Sequence, residues 1–200
     1  IADTGDIILS ENDGNVLKSV ANAGIHIVLV GIDQLIPSID DINTIIPLSS
    51  IYEVTKIKSK SYCTILSKPA KTKGKQQKLY VILVDNFRSR IMEHEVQRQI
   101  LTCINCGACH SVCPVFNTIG GHVYDSAVPG PVGAVLAIAG NPEEAAHLAT
   151  LCGTCRQCEQ YCPMNIKISD LLLRNRVDII KEDKSLLAER GVYNFIRKKV

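Results

Sequence analysis

An α/β segment followed by an all-helical domain is the fold class this sequence predicts. Three observations point there. Up to about Asn86, short Ile/Val-rich runs alternate with turn residues. Beyond it, apolar residues recur at helical spacing. Eight of the nine cysteines lie in that second part, in two runs of one pattern. The predicted division is residues 1–86 and 87–200.

In the first part, "DIILS" (Asp6 to Ser10) reads as a strand running into the turn-like "ENDGN". "IHIVLVGI" (Ile25 to Ile32) and "LYVILVDN" (Leu79 to Asn86) read as buried strands. Continuous apolar runs suit a sheet covered on both faces. Between them, "SIDDINTII" (Ser38 to Ile46) predicts a short helix capped by Ser38 and stopped near Pro47. "KPAKTKGKQQK" (Lys68 to Lys78) predicts a solvated basic loop. Cys63 stands alone on a predicted strand, where a cysteine is usually a small buried hydrophobe. His26, among apolar neighbours, is expected in the core.

The second part opens with "SRIMEHEVQRQIL" (Ser89 to Leu101), whose Ile91, Met92, Val96 and Ile100 predict one helix. "AVPGPVGAVLAIAG" (Ala127 to Gly140) is the longest apolar run, too short to cross a bilayer. "NPEEAAHLATL" pairs a capping Asn141 with Pro142 at the first helical position. "SDLLLRNRVDIIKEDKSLLAER" predicts a long amphipathic helix from Ser169. A formal net charge of +2 argues against strong attraction to nucleic acid. No signal peptide or transmembrane segment is visible, which predicts a cytoplasmic location. Peripheral docking to a membrane partner remains compatible.

Both cysteine runs read C-x2-C-x2-C-x3-C-P. Three cysteines at three-residue steps curl around one [4Fe–4S] cluster, and the Pro-terminated fourth reaches the other. One cluster is therefore expected on Cys103, Cys106, Cys109 and Cys162. The second is expected on Cys152, Cys155, Cys158 and Cys113. A structural zinc site uses four ligands, usually as two spaced pairs, and fits two runs of four poorly. Disulfides would require an oxidising compartment. His110 replaces no ligand and is expected at a cluster rim; Tyr124 and His122 are expected to pack over a cluster. No catalytic residue is assigned, since no nucleotide fingerprint or acid–base constellation is visible. Thirty-eight residues separate Cys113 from Cys152, which points to a helical ferredoxin of the kind found in larger oxidoreductases.

"TCINCGACHSVCPVFNTIGGHVYDSAVPGPVGAVL" (Thr102 to Leu136) and "LCGTCRQCEQYCPMNIKISDLLLRNR" (Leu151 to Arg176) resemble the lactate utilisation protein B family. "TGDIILSENDGN", "IHIVLVGIDQLIPS" and "LVDNFRSRI" resemble the end of that family's first domain, the LUD domain, which is similar to sugar-isomerase and CoA-transferase folds. That domain is longer in the family, so residues 1–86 are expected to be its C-terminal part. The resemblance implies an iron–sulfur subunit of a complex oxidising L-lactate to pyruvate. It also implies two partners: a cysteine-rich subunit like those of heterodisulfide reductases, and a second LUD-family subunit. Lactate yields two electrons and a cluster moves one, so a flavin is expected in a partner. A peripheral membrane or quinone-linked association of that complex is also expected. Two other readings compete. One is a relay in another respiratory or heterodisulfide-type complex, oxidising succinate, glycerol 3-phosphate or glycolate. The other is an iron–sulfur regulator.

Overall fold

A computed structural model describes residues 1–11, 14–52, 62–69, 71–72, 74–124 and 128–182. The chain divides into two compact units, Ile1–Arg88 and Ser89–Val200.

The first unit is built from β1 (Ile7–Glu11), α1 (Asn15–Asn22), β2 (Ile25–Gly31), α2 (Ile42–Tyr52), β3 (Tyr62–Leu66), β4 (Lys71–Thr72), β5 (Lys75–Gln76) and β6 (Lys78–Val84). β2 and β6 pair in parallel, Ile25 opposite Lys78 through Gly31 opposite Val84. β1 and β3 pair antiparallel. The predicted basic loop is instead partly a small hairpin, β4 against β5, turned by Gly74 at φ 77°. After it, Gln77 is buried, and its side-chain amide donates to the Val20 and Ala23 carbonyls at the end of α1.

Ser38 caps, but what it caps is a 3-10 turn at Ile39–Asp41 that leads into α2. The Ser38 side chain accepts from the Asp40 N–H, and Asp41 returns a bond to the Ser38 N–H. The helix does not stop at Pro47; α2 runs through it to Tyr52. Proline removes one backbone donor and disfavours a helix without forbidding one. The apolar strands are less covered than their composition suggests. Leu29 is 69% exposed and Ile27 58%, while Tyr80, Ile82 and Leu83 are each about half exposed. Among the described residues this parallel sheet is two strands wide, whereas such runs are buried on both faces in wider sheets. Two further residues depart from expectation. Cys63 lies on β3 but is exposed, and His26 is only half-buried.

The second unit carries α3 (Arg88–Glu93), α4 (Ala108–Val112), α5 (Pro114–Ile119), α6 (Gly130–Gly140), α7 (Pro142–Leu151), α8 (Gln157–Gln160) and α9 (Ile168–Glu182). The predicted helix from Ser89 to Leu101 is two pieces, α3 and a 3-10 stretch at Gln97–Thr102. Each piece buries its own apolar face, Ile91 in the first and Ile100 with Leu101 in the second. A periodic apolar pattern records which face is buried, not whether the backbone between is continuous. The predicted C-terminal helix continues into residues 183–190, which lie outside the described residues.

α6 has no polar face, and seven of its residues are buried, as an all-apolar helix requires. It packs on α7 and α9, with Val135, Ala146, Ala149 and Leu171 fully buried between them. Gly133 lets α6 lie close against the segment that leads into it. A Cβ on Gly133 would stand 1.5 Å from the Val128 carbonyl oxygen. α7 starts as its sequence predicts, with Pro142 at the first position and the Asn141 side chain accepting from the Glu144 N–H. No helix among the described residues is long and apolar enough to cross a membrane.

Candidate metal centre

The two cysteine runs fold as one loop used twice. The first leaves the 3-10 stretch at Cys103, passes through left-handed Asn105 (φ 54°) and Gly107 (φ 73°), and enters α4. The second leaves α7 at Cys152, passes through left-handed Thr154 (φ 55°) and Arg156 (φ 60°), and enters α8. Asn and Gly adopt that region readily; a β-branched Thr does so only under constraint. Residue for residue, the strained positions coincide.

The sulfurs gather backbone donors in the same repeated way. The Asn105 and Thr154 N–H groups donate to Cys103 and Cys152 Sγ, each at 3.4 Å. The Phe116 and Ile166 N–H groups donate to Cys113 and Cys162 Sγ, also at 3.4 Å. Cys113 is the N-cap of α5 with Pro114 at its first position, so the Cys-Pro pair places a sulfur at a helix start. After Cys162 the chain turns instead, through left-handed Asn165. At Cys152 the Thr154 N–H acts to lower the thiol pKa.

α4 lies against α8, and this brings the loops together. Cys113 from the first loop lines one cavity with Cys152, Cys155 and Cys158 from the second. Val115, Leu148, Leu151 and Leu172 make its walls apolar. Cys103 and Cys106 lie close enough to Cys109 for their charges to act on it. Burial first, then these neighbours and Cys158, push the Cys109 thiol up to about 12. Cys158 is pushed up to about 11, mainly by burial. Burial also raises Cys152, opposed by the Thr154 N–H and the Arg176 charge. Buried sulfurs crowded this way resist ionising alone, and a cationic inorganic group among them supplies the missing positive charge. The thiols line a space rather than meet at a point: among the described residues no three His, Cys, Asp or Glu side chains converge on a single-ion site.

Tyr124 is buried and lines the same cavity. Burial, then Cys113, Cys152 and Cys109, push its phenol up to about 12, so it feels sulfurs of both loops. His122 is exposed. His110 is half-buried and stacks on Phe116, with ring centroids 4.8 Å apart, and Phe116 in turn meets Tyr124 at 6.0 Å. Burial lowers the His110 pKa, with the Pro129 carbonyl acting against it. Gly130, at φ 74°, leaves the ring its space; a Cβ there would lie 2.5 Å from it.

Three supporting residues were not legible as such. Arg176 on α9 donates to the Ala149 carbonyl from Nε (3.1 Å) and Nη2 (2.6 Å), and to the Cys152 carbonyl at 2.8 Å. It therefore closes α7 and pins the start of the second loop. Glu159 is buried beside Cys158, and its carboxylate accepts from the Ser169 and Asp170 N–H groups at the start of α9. Ser169 lies against Cys158. The available signal was spacing: Ser169, Leu172 and Arg176 share one face of an amphipathic helix.

The 4Fe-4S dicluster domain matches residues 99–166, and the LUD domain matches residues 1–84. In the segment it spans, this chain is similar to proteins named lactate utilization protein B. "Lactate utilization protein B 1" of Bacillus mycoides is 35% identical over 189 residues, covering 94% of this chain and 39% of that protein. "Lactate utilization protein B" of Bacillus subtilis is 33% identical over 195 residues, 95% of this chain and 40% of that protein. The "Uncharacterized electron transport protein YkgF" of Escherichia coli is 31% identical over 195 residues, 96% and 39% respectively. The chain thus spans about two fifths of the length of these curated relatives. No solved structure matches it.

Proposed function

We propose that this chain is the iron–sulfur electron-transfer part of a cytoplasmic, multi-subunit oxidoreductase that oxidises L-lactate to pyruvate. It holds two [4Fe–4S] clusters with crossed ligands. Cys103, Cys106 and Cys109 work with Cys162; Cys152, Cys155 and Cys158 work with Cys113. The observation that carries the reading is the apolar cavity whose sulfur lining joins Cys113 to the three cysteines of the other loop. The matched left-handed positions of the two loops, and the backbone N–H that each fourth cysteine receives, support the reciprocal role for Cys162.

When bound, each cluster accepts and releases one electron at a time. The chain's own residues hold and insulate. Backbone N–H groups of Asn105, Thr154, Phe116 and Ile166 stabilise ligand charge. Leu148, Leu151 and Leu172 keep water from the second set. The relatives' names support lactate as the substrate of the larger assembly. Its other parts are a cysteine-rich, heterodisulfide-reductase-like subunit and a second LUD-family subunit, with a flavin among them as the two-electron acceptor.

Protein purified anaerobically should contain about eight irons and eight acid-labile sulfides. Cys113→Ala should remove the spectroscopic signal of one cluster while Cys152→Ala removes the same one. If Cys113→Ala instead damages the cluster lost in Cys103→Ala, ligation is not crossed. With its partners present, L-lactate should reduce both clusters; reduction by succinate or glycerol 3-phosphate but not lactate would assign the chain to another respiratory complex.

A further inference from the structure

Ser169 sits in the first turn of α9, 1% exposed, with its hydroxyl oxygen 3.5 Å from Cys158 Sγ. Both residues line the cavity that also holds Cys113, Cys152 and Cys155. The Ser169 N–H is engaged elsewhere, donating to Glu159 Oε1 at 2.9 Å. One residue therefore grips two consecutive residues of α8, Cys158 through its hydroxyl and Glu159 through its backbone. A serine hydroxyl in a helix commonly turns to a nearby backbone carbonyl; here its partner is a sulfur. The sulfur of a ligating cysteine carries no proton, so the hydroxyl must be the donor. The matched cysteine of the first loop, Cys109, is served differently, by the backbone N–H of Val132. Of these two donors, the one to Cys158 is a side chain.

We propose that Ser169 is a tuning residue, its hydroxyl donating to the Cys158 thiolate and raising the reduction potential of the cluster held by Cys113, Cys152, Cys155 and Cys158. The inference rests on the ligand assignment proposed above. A hydrogen bond to a ligating sulfur draws electron density from the iron and favours the reduced, more negative state. The effect is large where water is excluded, because little else then compensates the added charge.

The test is an anaerobic redox titration of the whole chain followed by electron paramagnetic resonance, on the parent protein and three variants. Ser169→Ala should keep its iron and lower one midpoint potential, leaving the other in place. Ser169→Thr should stay near the parent, and Ser169→Val should fall with alanine. Thr and Val differ only in a hydroxyl against a methyl, so their comparison decides even if the alanine variant sheds iron. Unmoved potentials in Ser169→Ala, an equal shift of both clusters, or the same shift in Thr and Val would overturn the inference. Iron loss from all three variants would make Ser169 a packing residue and overturn it too. Iron missing from the parent protein would instead sink the ligand assignment, and this inference with it.

Discussion

Arg156 occupies, in the second loop, the left-handed position that Gly107 occupies in the first. A non-glycine residue there bears a cost of about 1–2 kcal/mol. What Arg156 gains is an ion pair to Asp170 at 2.6 Å, with both side chains around half exposed. Exposed pairs contribute roughly 0–1 kcal/mol. Arg156→Gly should therefore leave iron content unchanged and raise unfolding stability by about 1 kcal/mol; a lower melting temperature would show that the pair outweighs the strain. Arg176 is the opposite case. Its three bonds to two carbonyls have no substitute in Arg176→Gln, so that variant should lose about 1–3 kcal/mol. It should also release iron first from the cluster that needs Cys152, read as one signal bleaching before the other under chelator. The eight loop cysteines were legible because their chemistry is local and periodic. Ser169, Glu159 and Arg176 were not, because each acts on a partner brought near only by the packing of α7, α8 and α9.

Among the elements, α6 governs the second unit, and its glycine requirement is steric. The Cβ of an alanine at 133 would lie 1.5 Å from a backbone carbonyl that cannot rotate away. Gly133→Ala should cost at least the roughly 1–3 kcal/mol of an overpacked core and should lower the melting temperature by circular dichroism. An unchanged transition would mean that α6 can slide. Leu171, fully buried opposite α6, should lose about 2–5 kcal/mol as alanine. Element starts were readable wherever the cap is a side chain acting on its own neighbours: Asn141 does what its position predicts, and Ser38 caps the 3-10 turn that leads into α2. Element continuity was not. Pro47 did not end α2, because the costs of a proline are set against packing that sequence does not display. The stretch from Ser89 to Leu101 is periodic yet broken, because two short pieces bury Ile91 and Ile100 as well as one helix would. Cys63 was misjudged for a tertiary reason as well: its strand formed, but the residue faces outward. Cys63→Ser should accordingly be neutral within about 0.5 kcal/mol and leave the iron count unchanged.

On the scale of the whole chain, the two units draw stability from different sources. All eight motif cysteines belong to the second unit, where Cys109 and Cys158 form part of the apolar core itself. The core of that unit is therefore built around sulfurs that burial and crowding keep from ionising on their own. Binding an inorganic group to such a site contributes folding free energy, since the unfolded chain offers no preformed cavity. The first unit has no part in this. Its strands are held by backbone pairing between β2 and β6 and between β1 and β3, with much of their apolar surface exposed among the described residues. Anaerobic removal of iron by a chelator should consequently act on one unit. Amide hydrogen exchange should accelerate across α4, α6, α7 and α9, whose packing encloses the thiols, and change little in β2 and β6. Reconstitution with ferrous iron and sulfide under reducing conditions should restore protection in those helices. Equal loss of protection in both units would mean that they unfold together, and no change in either would mean that the helical core stands without its clusters.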